Sequence, residues 1–322
     1  MDQNQNKHLF TKIILFVFLI IFALSACNPR PKETSALKFA VLPVLDSLPI
    51  YVAEQEGFFK KHNLDVEIIP VGSGPERDQL LAADQVDGVI NEVLTTIMNN
   101  RETENIQIVR FARAATKEHA LFSILASKKS GITSIDQLKG VEIGISEGTV
   151  IAYLTDRLLQ KEGFLPEDIV TVAVPKIPDR LALISNGELS AGTMPEPVTS
   201  LLVLQGAAVV LADSKYPELS HSAISFRSKF ISANPEAVRN FLAAIEEAVT
   251  AINLNPSKYE RTLLDSNILP AVLQGKFEVP PFVTASVPSE TQFKDVLLWA
   301  QEKGMITTDI AYERCVNASF LP

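Results

Sequence analysis

Carboxylates and small polar residues stand where the apolar strands of this 322-residue chain give way to helices. In open α/β proteins those strand-to-helix turns are where ligands are held. From the amino end, the turns are Leu45-Asp46-Ser47, Gly72-Ser73-Gly74, Asn91-Glu92, Ser146-Glu147-Gly148-Thr149, and Glu196 close after Thr193. Arg113 lies on a strand between them, and Tyr153 is one helical turn beyond Thr149. The start of a helix offers unpaired N–H groups and a partial positive charge, and glycine lets a ligand approach the backbone. The candidate ligand contacts are therefore Asp46, Ser47, Ser73, Asn91, Glu92, Arg113, Gly148, Thr149, Tyr153 and Glu196. Three of them, Asp46, Glu92 and Glu196, are carboxylates, which asks for a ligand carrying N–H or O–H donors.

Each candidate also has a plain structural use. Asp46 and Ser47 can cap the helix opening at Leu48, Glu92 can begin a surface helix, and Thr149 after Gly148 can be an ordinary N-cap. Glu196, fixed between Pro195 and Pro197, can favour the helix N-terminus that follows. Arg113 can bind an anion or pair with an acid. Tyr51 and Tyr153 can flank a flat ring or pack in a core.

The elements that must position these residues follow from hydrophobic spacing. Leu37–Leu42 reads as a strand and Leu48–His62 as a helix ending near Asn63; the alternation of Asp65–Ile69 marks a second strand. A helix at Glu76–Ala83, a buried strand at Val86–Asn91, a helix at Val93–Asn99 and a strand at Ile106–Arg110 continue the pattern. A second run of the same kind extends from Leu121 to Leu211, with a long helix from Gly148 to Glu162. After Asp213 the chain turns helical: Asn234 and Pro235 open a long amphipathic helix, and further helices are expected at Lys258–Leu264, Glu290–Lys303 and Thr308–Cys315. Alternating strands and helices predict an α/β fold with mostly parallel sheets.

Composition narrows the chemistry. Apolar residues make up 47% and charged residues 21%, an ordinary globular balance. The formal net charge of -9 would repel phosphate backbones, which excludes nucleic acid as a natural partner. Two cysteines and four scattered histidines predict neither a disulfide framework nor a metal site, and Cys315 reads as a small buried hydrophobe. There is no G-x-x-x-x-G-K-[ST] stretch, so the chain itself is not expected to hydrolyse ATP.

The first residues read as a leader rather than as part of the fold. Lys7 and Lys12 precede an unbroken apolar run from Ile13 to Leu24, too short to span a bilayer. Leu24-Ser25-Ala26-Cys27 follows directly, and its spacing resembles a bacterial lipoprotein signal: residues 1–26 would be removed and Cys27 would carry the lipid. Residues 27–36, polar and containing Pro29 and Pro31, would form a tether.

Four stretches in order resemble the solute-binding proteins of ABC importers, in the nitrate, sulfonate, taurine and thiamine-precursor group. They are Leu48–Ala53 leading through Glu56-Gly57-Phe58-Phe59-Lys60 to Leu64-Asp65-Val66; Gln85–Val89; Ile135–Gly144 with Glu147-Gly148-Thr149; and Met194-Pro195-Glu196-Pro197. The resemblance implies a two-lobed periplasmic-binding-protein type II fold, each lobe a mixed, mostly parallel sheet flanked by helices. Lobe 1 would comprise residues 37–114 plus 216–322, with the C-terminal helices completing it, and lobe 2 residues 115–215. It implies a monomeric, non-catalytic receptor without a cofactor, closing on a small molecule and delivering it to a membrane permease and its ATPase partner. With three acids at the turns, a heteroaromatic nutrient such as a thiamine precursor is expected over a sulfonate or nitrate. Two other readings stay open: a clamp-type sensory or partner-binding lipoprotein, and an enzyme of the thiamine-pyrimidine synthase type. The latter resembles this chain distantly and uses a Cys-rich motif that two cysteines cannot supply.

Overall fold

Two runs of strand–helix alternation build two separate five-stranded sheets in the computed structural model, which describes residues 36–321. The leader, Cys27 and nearly all of the tether lie outside those residues. The first run is β1 (Leu37–Val41), α1 (Leu48–Gln55), α2 (Phe58–Lys61), β2 (Val66–Pro70), α3 (Gly74–Ala82), β3 (Gly88–Asn91), α4 (Val93–Asn99) and β4 (Ile106–Ala114). The second is β5 (Phe122–Ala126), β6 (Glu142–Ile145), α5 (Val150–Lys161), β7 (Val170–Ala173), α6 (Ile177–Asn186), β8 (Ala191–Pro195), α7 (Val198–Leu204) and β9 (Ala208–Ala212). The chain then returns through β10 (His221–Arg227) and ends in α8 (Ser228–Ala233), α9 (Pro235–Leu254), α10 (Glu260–Asp265), α11 (Glu290–Glu302) and α12 (Tyr312–Cys315).

The sheets share one plan. The first has the order β2-β1-β3-β10-β4 and the second β7-β6-β8-β5-β9. In each, three parallel strands meet one antiparallel strand that arrives from the other half of the chain, β10 in the first and β5 in the second. Residues 115–121 and 213–220 are the two crossings, and they are bonded to each other. The Asp213 carboxylate accepts the N–H groups of Leu121 (3.0 Å) and Phe122 (2.9 Å), and Ala115 N–H donates to the Ser220 carbonyl at 3.0 Å.

Helix boundaries follow local chemistry. The expected helix from Leu48 to His62 is divided at Gly57, whose φ of 74° lets the chain turn between α1 and α2. Only the last turn of the helix expected at Thr308–Cys315 is helical. Ile306 and Ile310 are buried one by one from an irregular segment instead of along one helical face. In α9 the spacing of Val238, Phe241, Leu242, Ile245, Ala248, Val249 and Ile252 puts one continuous stripe into the first core. Phe241 stacks on Phe39 and Phe59, with centroids 4.8 and 5.2 Å away, and meets Phe226 edge-on at 5.2 Å. Each such buried ring contributes about 1.5–3 kcal/mol.

The C-terminal helices do not all join the first core. Phe293, Val296, Leu297, Trp299 and Ala300 of α11 share one apolar cluster with Val93, Leu94 and Ile97 of α4 and with Leu154, Leu158 and Leu159 of α5. α11 therefore packs against helices of both sheets. Among the described residues no helix is long and apolar enough to cross a membrane.

Gly88 marks the tightest point of the first core. A Cβ there would lie 2.6 Å from Phe226 Cε1 and 2.8 Å from Phe39 Cδ2. Gly88→Ala is expected to cost about 1–3 kcal/mol in urea unfolding through overpacking. Adding Phe226→Leu should recover part of that loss; strict additivity of the two changes would show that the rings are not the obstacle.

Candidate functional site

Turns at the carboxyl ends of parallel strands from both sheets converge on one small cavity of about 60 Å³. From the first sheet come Leu42, Val44 and Asp46 after β1, Gly74 and Arg77 of α3, Ile90, Asn91 and Glu92 at the β3–α4 turn, and Ser222 of β10. The second sheet contributes Phe122 of β5, Ser146, Thr149, Val150 and Ile151 at the β6–α5 turn, Pro175 and Ile177 at the β7–α6 turn, and Pro195 of β8. The two halves touch at the rim. A Cβ on Gly74 would lie 3.0 Å from Thr149 Cγ2, and Leu45 N–H donates to the Glu196 carbonyl at 3.2 Å. Ordinary small-molecule sites measure roughly 300–1,000 Å³, so a ligand of usual size needs the halves to part.

The walls are mostly apolar, and the charges are arranged in two groups. Arg77, fully buried on α3, donates to the Ile90 carbonyl (3.1 Å), Thr95 Oγ1 (3.0 Å) and Asp78 (2.8 Å), with Nη2 3.7 Å from Glu92. The Glu92 carboxylate caps α4 by accepting Thr95 N–H at 2.9 Å and also accepts the Thr95 hydroxyl. Burial pushes the Glu92 carboxyl up, against the pull of Arg77. The second group surrounds Arg113, whose Nη1 lies 3.4 Å from Asp46 and whose Nη2 lies 3.4 Å from the Ala120 carbonyl. Phe282 stacks under its guanidinium at 5.7 Å. Burial raises the carboxyls of Asp46, Glu196 and Asp213, the last to about 6, while the one Arg113 charge works against the rise at all three.

The structure brings together four of the ten residues nominated from sequence. Asp46, Asn91, Glu92 and Thr149 line the cavity. Asn91 is tied on both sides, donating to Thr96 Oγ1 (2.9 Å) and accepting from Ser225 Oγ (2.6 Å). Thr149 is the N-cap of α5 and donates to the Ser146 carbonyl at 2.8 Å. Four others stand behind or beside the wall. Arg113 backs Asp46; Ser47 donates to the Leu42 carbonyl at 2.8 Å and fixes the turn after β1; Ser73 caps α3; Gly148, with φ of 68°, makes the turn into Thr149.

Two nominees lie elsewhere. Tyr153 faces α11: its hydroxyl donates to Asp295 at 2.5 Å and its ring meets Trp299 edge-on at 5.7 Å. One helical turn past Thr149 carries its side chain off the helix end and onto the flank. The Glu196 carboxylate accepts from Ser200 Oγ at 2.8 Å and so serves the first turn of α7. It lines a separate surface groove with Glu118, His119 and Lys276. Cys315 is buried, accepts from Asn100 at 3.3 Å, and burial pushes its thiol up to about 11. Arg77, Ser146, Ser222, Pro175 and Ile177 line the cavity without having been nominated. The strand-end rule extended to Val174-Pro175 would have found the last two, whereas nothing in the spacing singles out Arg77.

Comparison with known proteins follows from this geometry. Residues 45–259, more than half of the chain, match the family model described as NMT1/THI5 like. The chain belongs to the NMT1/THI5-like family. It is 26% identical over 245 residues to the nitrate/nitrite binding protein NrtA of Nostoc sp., covering 70% of this chain and 55% of that one. It is 25% identical over 235 residues to the 4-amino-5-hydroxymethyl-2-methylpyrimidine phosphate synthase THI13 of Saccharomyces cerevisiae, covering 68% and 66% of the two chains. The match therefore spans little more than half of the first relative and two thirds of the second. In fold, it superimposes with a TM-score of 0.75 on the alkanesulfonate-binding protein SsuA of Xanthomonas axonopodis pv. citri bound to MOPS, at 16% identity over 88% of this chain and 99% of that one. The two-lobed α/β architecture of this NMT1/THI5-like chain is thus shared with a solute-binding protein.

The carboxylate beside Arg113 at the crossings gives a pH signature. Because the folded Asp213 carboxyl is raised from 3.8 to about 6, its proton favours the folded state at low pH, and that contribution is lost as pH rises through about 6. The stability difference between the parent chain and Asp213→Asn, measured by urea unfolding, should shrink or reverse in the parent's disfavour between pH 4 and about 6.5. A difference that stays flat over that window would place the Asp213 titration elsewhere.

Proposed function

We propose that this chain is the extracytoplasmic solute-binding protein of an ABC importer. On this reading residues 1–26 are a signal peptide, Cys27 carries the lipid anchor, and residues 27–36 are the tether. Lobe 1 (37–114 plus 216–322) and lobe 2 (115–215) of a monomer close on a small molecule and present it to the permease. Membership of the NMT1/THI5-like family, the binding-protein names among its relatives, and the leader sequence all support it.

The observation that carries the reading is the placement of one small, apolar-walled cavity between the carboxyl ends of both sheets, too small for an ordinary ligand unless the lobes part. Its polar groups favour a neutral or weakly basic heteroaromatic ligand. Glu92 is answered by Arg77 and Thr95, whereas Asp46 has Arg113 at 3.4 Å, a cation that also faces the carboxylates of Glu196 and Asp213. Asp46 thus keeps acceptor capacity for a ring amine, and the unpartnered hydroxyl of Ser146 can serve a ring nitrogen. The name of the synthase relative points to an aminopyrimidine of the same chemical class. Nitrate or a sulfonate would have to sit against two buried carboxylates.

A thermal-shift and calorimetric panel tests this. Aminopyrimidines should raise the melting temperature, and nitrate and alkanesulfonates should not. Asp46→Asn should weaken the aminopyrimidine at least about tenfold, or roughly 1.4 kcal/mol. A panel in which only the oxyanions bind, with Asp46→Asn tightening them, would overturn the ligand class.

A further inference from the structure

The two last helices of the chain are adjacent in sequence but are held by different partners. α12 is bonded to the first sheet's side: Asn100 Nδ2 donates to the Arg314 carbonyl at 3.0 Å and to Cys315 Sγ at 3.3 Å, and Asn317 N–H donates to the Ile108 carbonyl at 2.8 Å. α11 is bonded to α5. Tyr153 Oη donates to Asp295 (2.5 Å), Trp299 Nε1 donates to Asp156 (3.0 Å), Arg157 Nη1 donates to Glu302 (3.0 Å), and Lys303, just past the helix, pairs with Asp156. Trp299 and Tyr153 also meet edge-on. Against α4 the same helix makes only apolar contacts among the described residues, through Leu94 and Ile97 and their neighbours, and against α12 Phe293 meets Tyr312 edge-on at 5.6 Å.

Directional bonds and apolar contacts respond differently to motion. A buried hydrogen bond to a charged carboxylate is lost if its partners slide by an ångström or two. Apolar surfaces can slide past each other while staying out of water, which is the basis of shear between packed helices. From this contrast we infer, on the clamp reading proposed above, that residues 290–302 depart from the lobe 1 span given there: α11 travels with lobe 2 when the clamp opens, and the moving boundary runs between α11 on one side and α4 and α12 on the other. The chain then passes between the lobes four times: at 115–121, at 213–220, and again through the short segments on either side of α11. The Ser286 carbonyl is still bonded to Phe111 N–H of β4 at 2.7 Å and the Pro288 carbonyl accepts from Tyr312 Oη of α12 at 2.5 Å, so the segment before α11 begins after Pro288. The segment after it includes Gly304, with φ of 68°. The inference concerns which helices move together and holds whatever the ligand is.

A wedge opens the clamp without a ligand. A side chain at Gly74 meets Thr149 across the rim, so Gly74→Phe should hold the lobes apart. Spin labels at exposed Leu298 (α11), Lys161 (α5) and Leu254 (α9) of the full chain in detergent, with Cys27→Ser, give three distances by pulsed electron resonance. With the wedge, 298–161 should stay as it is while 298–254 and 161–254 change by several ångströms. Trp299 is the chain's single tryptophan, and its emission maximum should stay put. Tyr153→Phe with Asp156→Asn should broaden the 298–161 distribution. A constant 298–254 with a changed 298–161, or a red-shifted Trp299, overturns the inference. So does a wedge that moves no distance at all, because then no boundary exists between α11 and α4.

Discussion

One guanidinium stands where every part of the fold meets. Arg113 ends the last strand before the first crossing, and its charge is felt by Asp46 after β1, Glu196 after β8 and Asp213 at the second crossing. A carboxylate taken out of water is costly unless a cation answers it. Three carboxylates around one cation are under-answered, which is why burial wins at each of them and raises all three. The arrangement ties the position of lobe 2 to that of lobe 1 through charge, and it leaves Asp46, the one of the three that lines the cavity, sharing its cation. A ligand that brings N–H donors to Asp46 supplies what Arg113 alone cannot.

The fold was legible because its signals are local and repeated. Alternation in Asp65–Ile69, the cap at Asn234-Pro235 and the apolar stripe of α9 each depend on residues a few positions apart. Departures have equally local causes, as at Gly57, where a left-handed turn divides one expected helix into two. What the spacing does not contain is the partner of a helix. α11 reads as an amphipathic helix from Glu290 onward, but its stripe is consistent with either sheet. Its hydrogen bonds depend on Asp295 and Trp299 finding Tyr153 and Asp156 about 140 residues earlier.

The same limit explains the site. A strand-to-helix turn places the first residue after the strand near the cavity, so Asp46, Asn91, Glu92 and Thr149 could be nominated from order alone. A further helical turn already loses the direction, which sends Tyr153 to the flank of α5. Glu196 shows a different failure. Its backbone carbonyl reaches across to Leu45, but its carboxylate is drawn to the nearer donors of Ser200. Arg77 stayed hidden because a cation one turn into a helix usually faces solvent; only its burial against Glu92 and Ile90 reveals it.

Charge placement also decides how firmly the cavity groups are held. The groups that line the cavity are mostly engaged with one another: Glu92 with Thr95 and Arg77, Asn91 with Thr96 and Ser225, Thr149 with Ser146. Residues held this way present a fixed surface, which reduces what a ligand must order on arrival and so favours affinity. A general acid or base must instead exchange protons with its ligand, and each internal bond made by Glu92 opposes that exchange. Asp46 is bonded to Ser222 and shares Arg113 with two other acids, and its carboxyl stays raised, so it is the group whose protonation a bound amine would most readily change. An amine donating to Asp46 would draw its carboxyl back toward the ordinary range. On the proposed reading, binding would then release a proton at pH values between the free and bound positions of that group.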